Sequence, residues 1–119
     1  MQIKKNKIID LRKNGKIIKF FYNEDKFLNK IKEVYFSEVP PNISKSWKFH
    51  NNRNQIMTVL KGEILFKYKK KKNENPKQIK LSFDKNFLKI YIPKKTYYTF
   101  KCASRTKALI ANIIDENVK

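Results

Sequence analysis

Along most of this chain apolar and polar residues alternate in short runs, the period of strands whose successive side chains face opposite ways. Runs of this kind fall at 8–11, 17–22, 32–39, 46–50, 55–60, 63–68, 78–83, 87–92, 97–102 and 107–114. Between them lie turn-forming clusters: Lys13-Asn14-Gly15-Lys16, Pro40-Pro41-Asn42, Asn51-Asn52-Arg53-Asn54, Asp84-Lys85-Asn86 and Ala103-Ser104-Arg105-Thr106. Proline cannot donate to a strand ladder, so Pro40 and Pro93 end the strands before them. Lys61-Gly62 is expected to turn a hairpin between 55–60 and 63–68, with Gly62 supplying positive φ. The stretch 69–76 reads as a charged loop tip, and 23–31 as a loop or a single helical turn. No helical pattern of any length intervenes. About ten short strands at regular spacing imply an all-β sandwich or barrel, and residues 1–119 read as one domain.

Composition changes this picture little. The chain has 119 residues, 40% of them hydrophobic, with nine Phe and six Tyr that favour strands. No run is long enough to span a membrane as a helix. The opening Met1-Gln2-Ile3-Lys4-Lys5 lacks an apolar signal core, and the lone Cys102, expected as a small core residue, can form no internal disulfide. Both features lead to the expectation of a cytoplasmic protein. The formal net charge of +19 raises a nucleic-acid footprint. Against that, the cations are lysines except for Arg12, Arg53 and Arg105, and arginine is the usual tool for bidentate phosphate and base contacts. The lysines are also spread over outward strand positions, so a solvated, compositionally biased surface is the expectation.

Chemistry concentrates in Lys45-Ser46-Trp47-Lys48-Phe49-His50, followed by Gln55 and Gly62. Lys48 and His50, two apart on one strand, share a face, and Gln55 joins them from the next strand. The order of Glu33-Val34-Tyr35-Phe36-Ser37-Glu38-Val39, this segment, Gly62-Glu63-Ile64, and Ile92-Pro93 with Tyr98 and Phe100 resembles the cupin superfamily. More narrowly it is similar to the RmlC-like branch, the dTDP-4-dehydrorhamnose 3,5-epimerases and dTDP-sugar 3,4-ketoisomerases. The resemblance implies a double-stranded β-helix (jelly roll) holding a nucleotide-diphosphate sugar, in a homodimer. Where the epimerases carry a catalytic histidine this chain has Lys48, and the second histidine of the ketoisomerase motif falls on His50. The four positions that would ligate a metal in a cupin fall on Lys48, His50, Gln55 and Tyr98. Only His50 is a good neutral ligand and an ammonium repels a cation, so neither a metal nor another cofactor is expected.

The resemblance implies metal-independent acid–base transfer of a proton next to the keto group of a dTDP-4-keto-hexose. His50, Lys48 and Tyr98 are the candidate catalytic groups. Lys45 and Arg53 are candidate phosphate contacts. Tyr35, Gln55 and Asn112 are candidate sugar contacts. Trp47 and Phe49 are expected mainly in the core. Two other readings stay open: a non-catalytic cupin that binds a nucleotide sugar or other anion, and a nucleic-acid binder on charge alone.

Overall fold

The computed structural model describes residues 1–22 and 26–116. Eleven strands run β1 (Gln2–Lys5), β2 (Lys7–Asp10), β3 (Lys16–Lys19), β4 (Glu33–Val39), β5 (Lys48–Phe49), β6 (Gln55–Lys61), β7 (Glu63–Lys69), β8 (Lys77–Ser82), β9 (Leu88–Ile92), β10 (Tyr97–Cys102) and β11 (Ala108–Ile114). A five-stranded sheet, β1-β9-β6-β11-β4, packs on a four-stranded sheet, β5-β10-β7-β8, and β2 and β3 form a separate hairpin. All strand pairs are antiparallel. The architecture is the expected all-β jelly roll. The one helical element among the described residues is a 3-10 turn at Arg12–Asn14. No helix is long and apolar enough to cross a membrane.

Alternation places the core. Inward positions of the two sheets (Val39, Met57, Val59, Ile64, Phe66, Leu81, Ile90, Ile110 among them) form one buried cluster. Cys102 lies within it, as expected. On the outer face of the five-stranded sheet a second cluster joins Ile56, Tyr91 and Ile113 to Leu28, with Phe20, Phe21 and Phe27 packed against it. The 23–31 loop thus does structural work in its described part, which contains no helical turn; residues 23–25 of that expectation lie outside the described residues.

Three features depart from the sequence reading. First, Lys61-Gly62 does not turn a hairpin: β6 pairs with β9 and β11, whereas β7 pairs with β10 and β8. The chain instead crosses from one sheet to the other, a corner of the kind two packed sheets require. Gly62 does adopt positive φ (+77°), and a Cβ there would lie 2.7 Å from Ser104 Oγ and 3.1 Å from Ala108 Cα. The glycine is needed for close crossing as well as for turning. Second, β1 carries no alternation the sequence could show, because all four of its residues are exposed; its pairing with β9 holds it. Third, lysine is not confined to the surface. Lys89 is 2% exposed; its Nζ donates to the Phe20 carbonyl (3.0 Å) and lies 4.9 Å from the Tyr22 ring centroid.

Candidate active site

The strands converge on a cavity of about 610 Å³ at one end of the barrel. The five-stranded sheet supplies Tyr35 and Ser37 from β4, Gln55 and Met57 from β6, and Asn112 from β11. Register brings these inward residues level: Asn112 lies opposite Tyr35 on one side and Met57 on the other. The four-stranded sheet supplies Tyr98 and Phe100 from β10 and Lys48 from β5, and Lys48 pairs directly with Tyr98. His50, Arg53 and Glu116 complete the wall from the turns at the mouth.

That mouth is held by a carboxylate clamp. Asp115 accepts from the Asn54 backbone N–H (2.8 Å) and side-chain amide (2.9 Å), while the Asn54 carbonyl oxygen of the side chain accepts from the Lys94 N–H (2.9 Å). The Lys95 N–H donates to the His50 carbonyl (2.7 Å). These bonds fix the turn that carries His50 and Arg53.

Deeper in the cavity a polar chain is satisfied internally. Tyr98 donates its hydroxyl hydrogen to Gln55 Oε1 (3.1 Å), Gln55 Nε2 donates to Asn112 Oδ1 (2.8 Å), and Asn112 Nδ2 donates to Ser37 Oγ (3.3 Å). Gln55, Asn112 and Tyr98 are 2, 2 and 3% exposed. Each buried polar group here has a partner, which is the condition for tolerating it in a core. Burial pushes the Tyr98 phenol well above the ordinary tyrosine range, with Tyr35 adding to the effect. Burial also raises Tyr35, against the opposing charge of Arg53. Both phenols therefore keep their protons at neutral pH.

The cationic part of the site is less settled. The Arg53 guanidinium lies 3.2 Å from His50 Nε2. A guanidinium can only donate, so Nε2 accepts and the ring proton belongs on Nδ1. Burial, then Arg53 and Lys48, lower the His50 pKa, while Glu116 works the other way. Lys48 is half-buried, its Nζ 5.7 Å from the Phe100 ring centroid, and no carboxylate pairs with it among the described residues. Burial lowers its pKa, and the charges of Lys45 and Arg53 lower it further.

Seven of the sequence candidates thus line one cavity: Tyr35, Lys48, His50, Arg53, Gln55, Tyr98 and Asn112. Lys45 does not. It lines a smaller groove with Trp47, Leu65, Lys67, Thr99 and Lys101, on the opposite face of the four-stranded sheet, and reaches Lys48 only through its charge. Trp47 and Phe49 are not core either, at 43 and 38% exposure. Lys69 Nζ sits 4.4 Å from the Trp47 ring, and Phe49 packs on Tyr97 with centroids 4.4 Å apart. Strand β5 is only two residues long, so it buries nothing on its outward side. Ser37 and Glu116 are lining residues that the sequence did not single out. Ser37 was within reach, two positions from Tyr35 on the same face; Glu116 follows the last strand and carries no pattern. Among the described residues no three His, Cys, Asp or Glu side chains come together, so the donors facing the cavity make a poor metal cage.

No protein-family model matches the chain, and no curated protein matches its sequence. Solved structures do. A dTDP sugar isomerase from Desulfovibrio desulfuricans G20 superposes with a TM-score of 0.85 at 25% identity, over 99% of this chain and 78% of that one. A sugar 3,4-ketoisomerase from Thermoanaerobacterium thermosaccharolyticum, solved with TDP, gives 0.79 at 19% identity over 99 and 82%. A 3,5-epimerase from Legionella pneumophila, solved with dTDP-4-keto-L-rhamnose, gives 0.81 at 16% over 98 and 67%. Strand order and these superpositions agree: the chain has the fold of the RmlC-like cupins.

Proposed function

We propose that this protein is a nucleotide-sugar isomerase or epimerase, acting on a dTDP-4-keto-hexose by proton transfer without a metal. One observation carries the reading. A sugar-sized cavity, in a fold shared with dTDP-sugar isomerases, gathers a cationic mouth (Arg53, Lys48), one imidazole and a satisfied chain of neutral donors and acceptors. Arg53 is the contact for the diphosphate, since its planar fork matches phosphate and stays charged. Drawing Arg53 onto phosphate releases His50 Nε2, which becomes the base that removes a proton next to the keto group. Tyr98 keeps its proton in the free protein and is the acid that delivers it to the sugar. Tyr35, Gln55 and Asn112 orient the sugar hydroxyls. Lys48 faces the keto group.

The test uses dTDP-4-keto-6-deoxyglucose in deuterated water. Deuterium is expected at C3 or C5 of the sugar; no uptake, with Lys48→Ala indistinguishable from wild type, removes the reading. A second reading has one observation in its favour: His50 Nε2 is already occupied by Arg53, as suits a cupin that binds a nucleotide sugar without turnover. Saturable calorimetric binding with no deuterium uptake selects it.

The same reading includes a cytoplasmic homodimer. Among the described residues strand β4 is an edge of its sheet, and its outward Val34 and Phe36 are 58 and 63% exposed. A second copy covering that edge would remove a liability that exposed strands carry. Light scattering of wild type and of Phe36→Lys tests it: a dimer that the substitution dissociates is expected, and a monomeric wild type removes it.

A further inference from the structure

Resting on the keto-sugar reading above, we propose that Lys48 is a covalent catalyst: its amine condenses with the sugar carbonyl to a Schiff base. We infer further that this chemistry limits the outcome to epimerisation.

Lys48 projects into the cavity from β5, directly opposite Tyr98 and two residues before His50. An amine, a retained phenol proton and an imidazole therefore meet one ligand. The other cations have different places: Lys45 lies in the outer groove, and Arg53 stands at the mouth against His50. With an arginine there to meet phosphate, Lys48 is left for the sugar. Among the described residues no carboxylate holds it as an ammonium. An interior lysine among cations gives up its proton more readily than an exposed one, and the direction of its pKa agrees. A desolvated lysine beside another cation is a recognised way to make an amine nucleophilic towards carbonyls.

The step balances without an oxidant or reductant. The Lys48 nitrogen adds to C4 of the keto sugar, the former carbonyl oxygen takes up protons and leaves as water, and a protonated imine remains. That positive charge acidifies the neighbouring C–H bonds. His50 removes one such proton to give an enamine. A proton delivered from the opposite side restores the imine with the carbon inverted, and water then releases the ketone and the free amine.

Migration of the keto group is excluded by the same chemistry. Protonating the C3 enamine at C4 would turn the C3 hydroxyl into a carbonyl and leave nitrogen on C4 as a secondary amine. Water does not cleave that bond, so the enzyme would be inactivated. Inversion next to C4 is the outcome compatible with turnover.

Wild-type protein is incubated with dTDP-4-keto-6-deoxyglucose and sodium cyanoborohydride at neutral pH, then digested and mapped by mass spectrometry. A reduced sugar-nucleotide adduct on Lys48 is expected, together with an inverted ketose as the untrapped product. Lys48→Arg, which keeps the charge but not the nucleophile, is expected to lose deuterium exchange by about 100-fold or more. Normal exchange in wild type without an adduct overturns the inference and leaves the reading standing. So does a Lys48→Arg variant that exchanges like wild type, or a product with its keto group at C3. No exchange by wild type removes the reading and the inference together.

Discussion

The two ends of this barrel are built from the same strands and do different work. At one end the inward residues of β6, β10 and β11 are Val59, Cys102, and Ile110 with Ala108, all buried and apolar. At the other end the same strands present Gln55, Tyr98 and Asn112, joined by hydrogen bonds. Tyr98 marks the border: its ring stacks on core Phe66 at 5.7 Å, and its hydroxyl enters the polar chain. Stability is therefore concentrated below this ring and chemistry above it. A change two residues along one strand moves from one regime to the other.

The largest effect is expected at the apolar end. Phe66→Ala empties a site with no exposure and should cost about 3–5 kcal/mol, read as a fall in the urea midpoint. dTDP affinity of the fraction still folded should hardly change. At the polar end, Asn112→Leu strands the Gln55 amide and should cost about 1–3 kcal/mol. Adding Gln55→Leu and Tyr98→Phe removes the linked buried partners together, so the triple change should recover part of that stability while losing dTDP binding. Recovery of stability with binding intact would show that the polar chain serves the fold alone.

Between the ends, Gly62→Ala forces a Cβ towards the Ala108 backbone at φ +77°. It should cost about 1 kcal/mol or more in urea unfolding without altering ligand affinity. The smallest effect is expected from pH. Because the folded protein holds the His50 pKa below the ordinary 6.5, the unfolded chain takes up the proton first as pH falls. His50 thus contributes stability that is present above 6.5 and is lost as pH falls through its lower folded pKa. His50→Gln should flatten the stability profile in that window, and an unchanged profile would mean the imidazole titrates normally.

Much of this was legible in sequence because inward and outward positions alternate so regularly. Strand β10 coincides with the expected run at 97–102, and β4, β6, β7, β9 and β11 differ from theirs by a residue at one end. The cavity residues followed for the same reason: once Lys48, Gln55 and Asn112 are inward, register does the rest. What stayed hidden lacked a one-dimensional signal. A glycine after a strand marks a turn, but whether the chain returns to the same sheet depends on partners far away in sequence. Lys45 lies before β5 starts, where no period fixes its direction, and it points to the other side of the sheet. Lys89 looks outward by residue type, yet aromatic rings and the Phe20 carbonyl enclose it. The resemblance named a family of chemistries, while the identity of Lys48 set this site apart from it.

The chain has a single histidine, so one set of imidazole resonances reports on the cavity. The decisive measurement is an NMR titration of His50 against pH, with and without saturating dTDP. A pKa below 6.5 is expected in the free protein, rising when the nucleotide diphosphate draws Arg53 away. Resonances indifferent to dTDP, or a pKa unmoved by it, would contradict the claim that this end of the barrel is a nucleotide-sugar site.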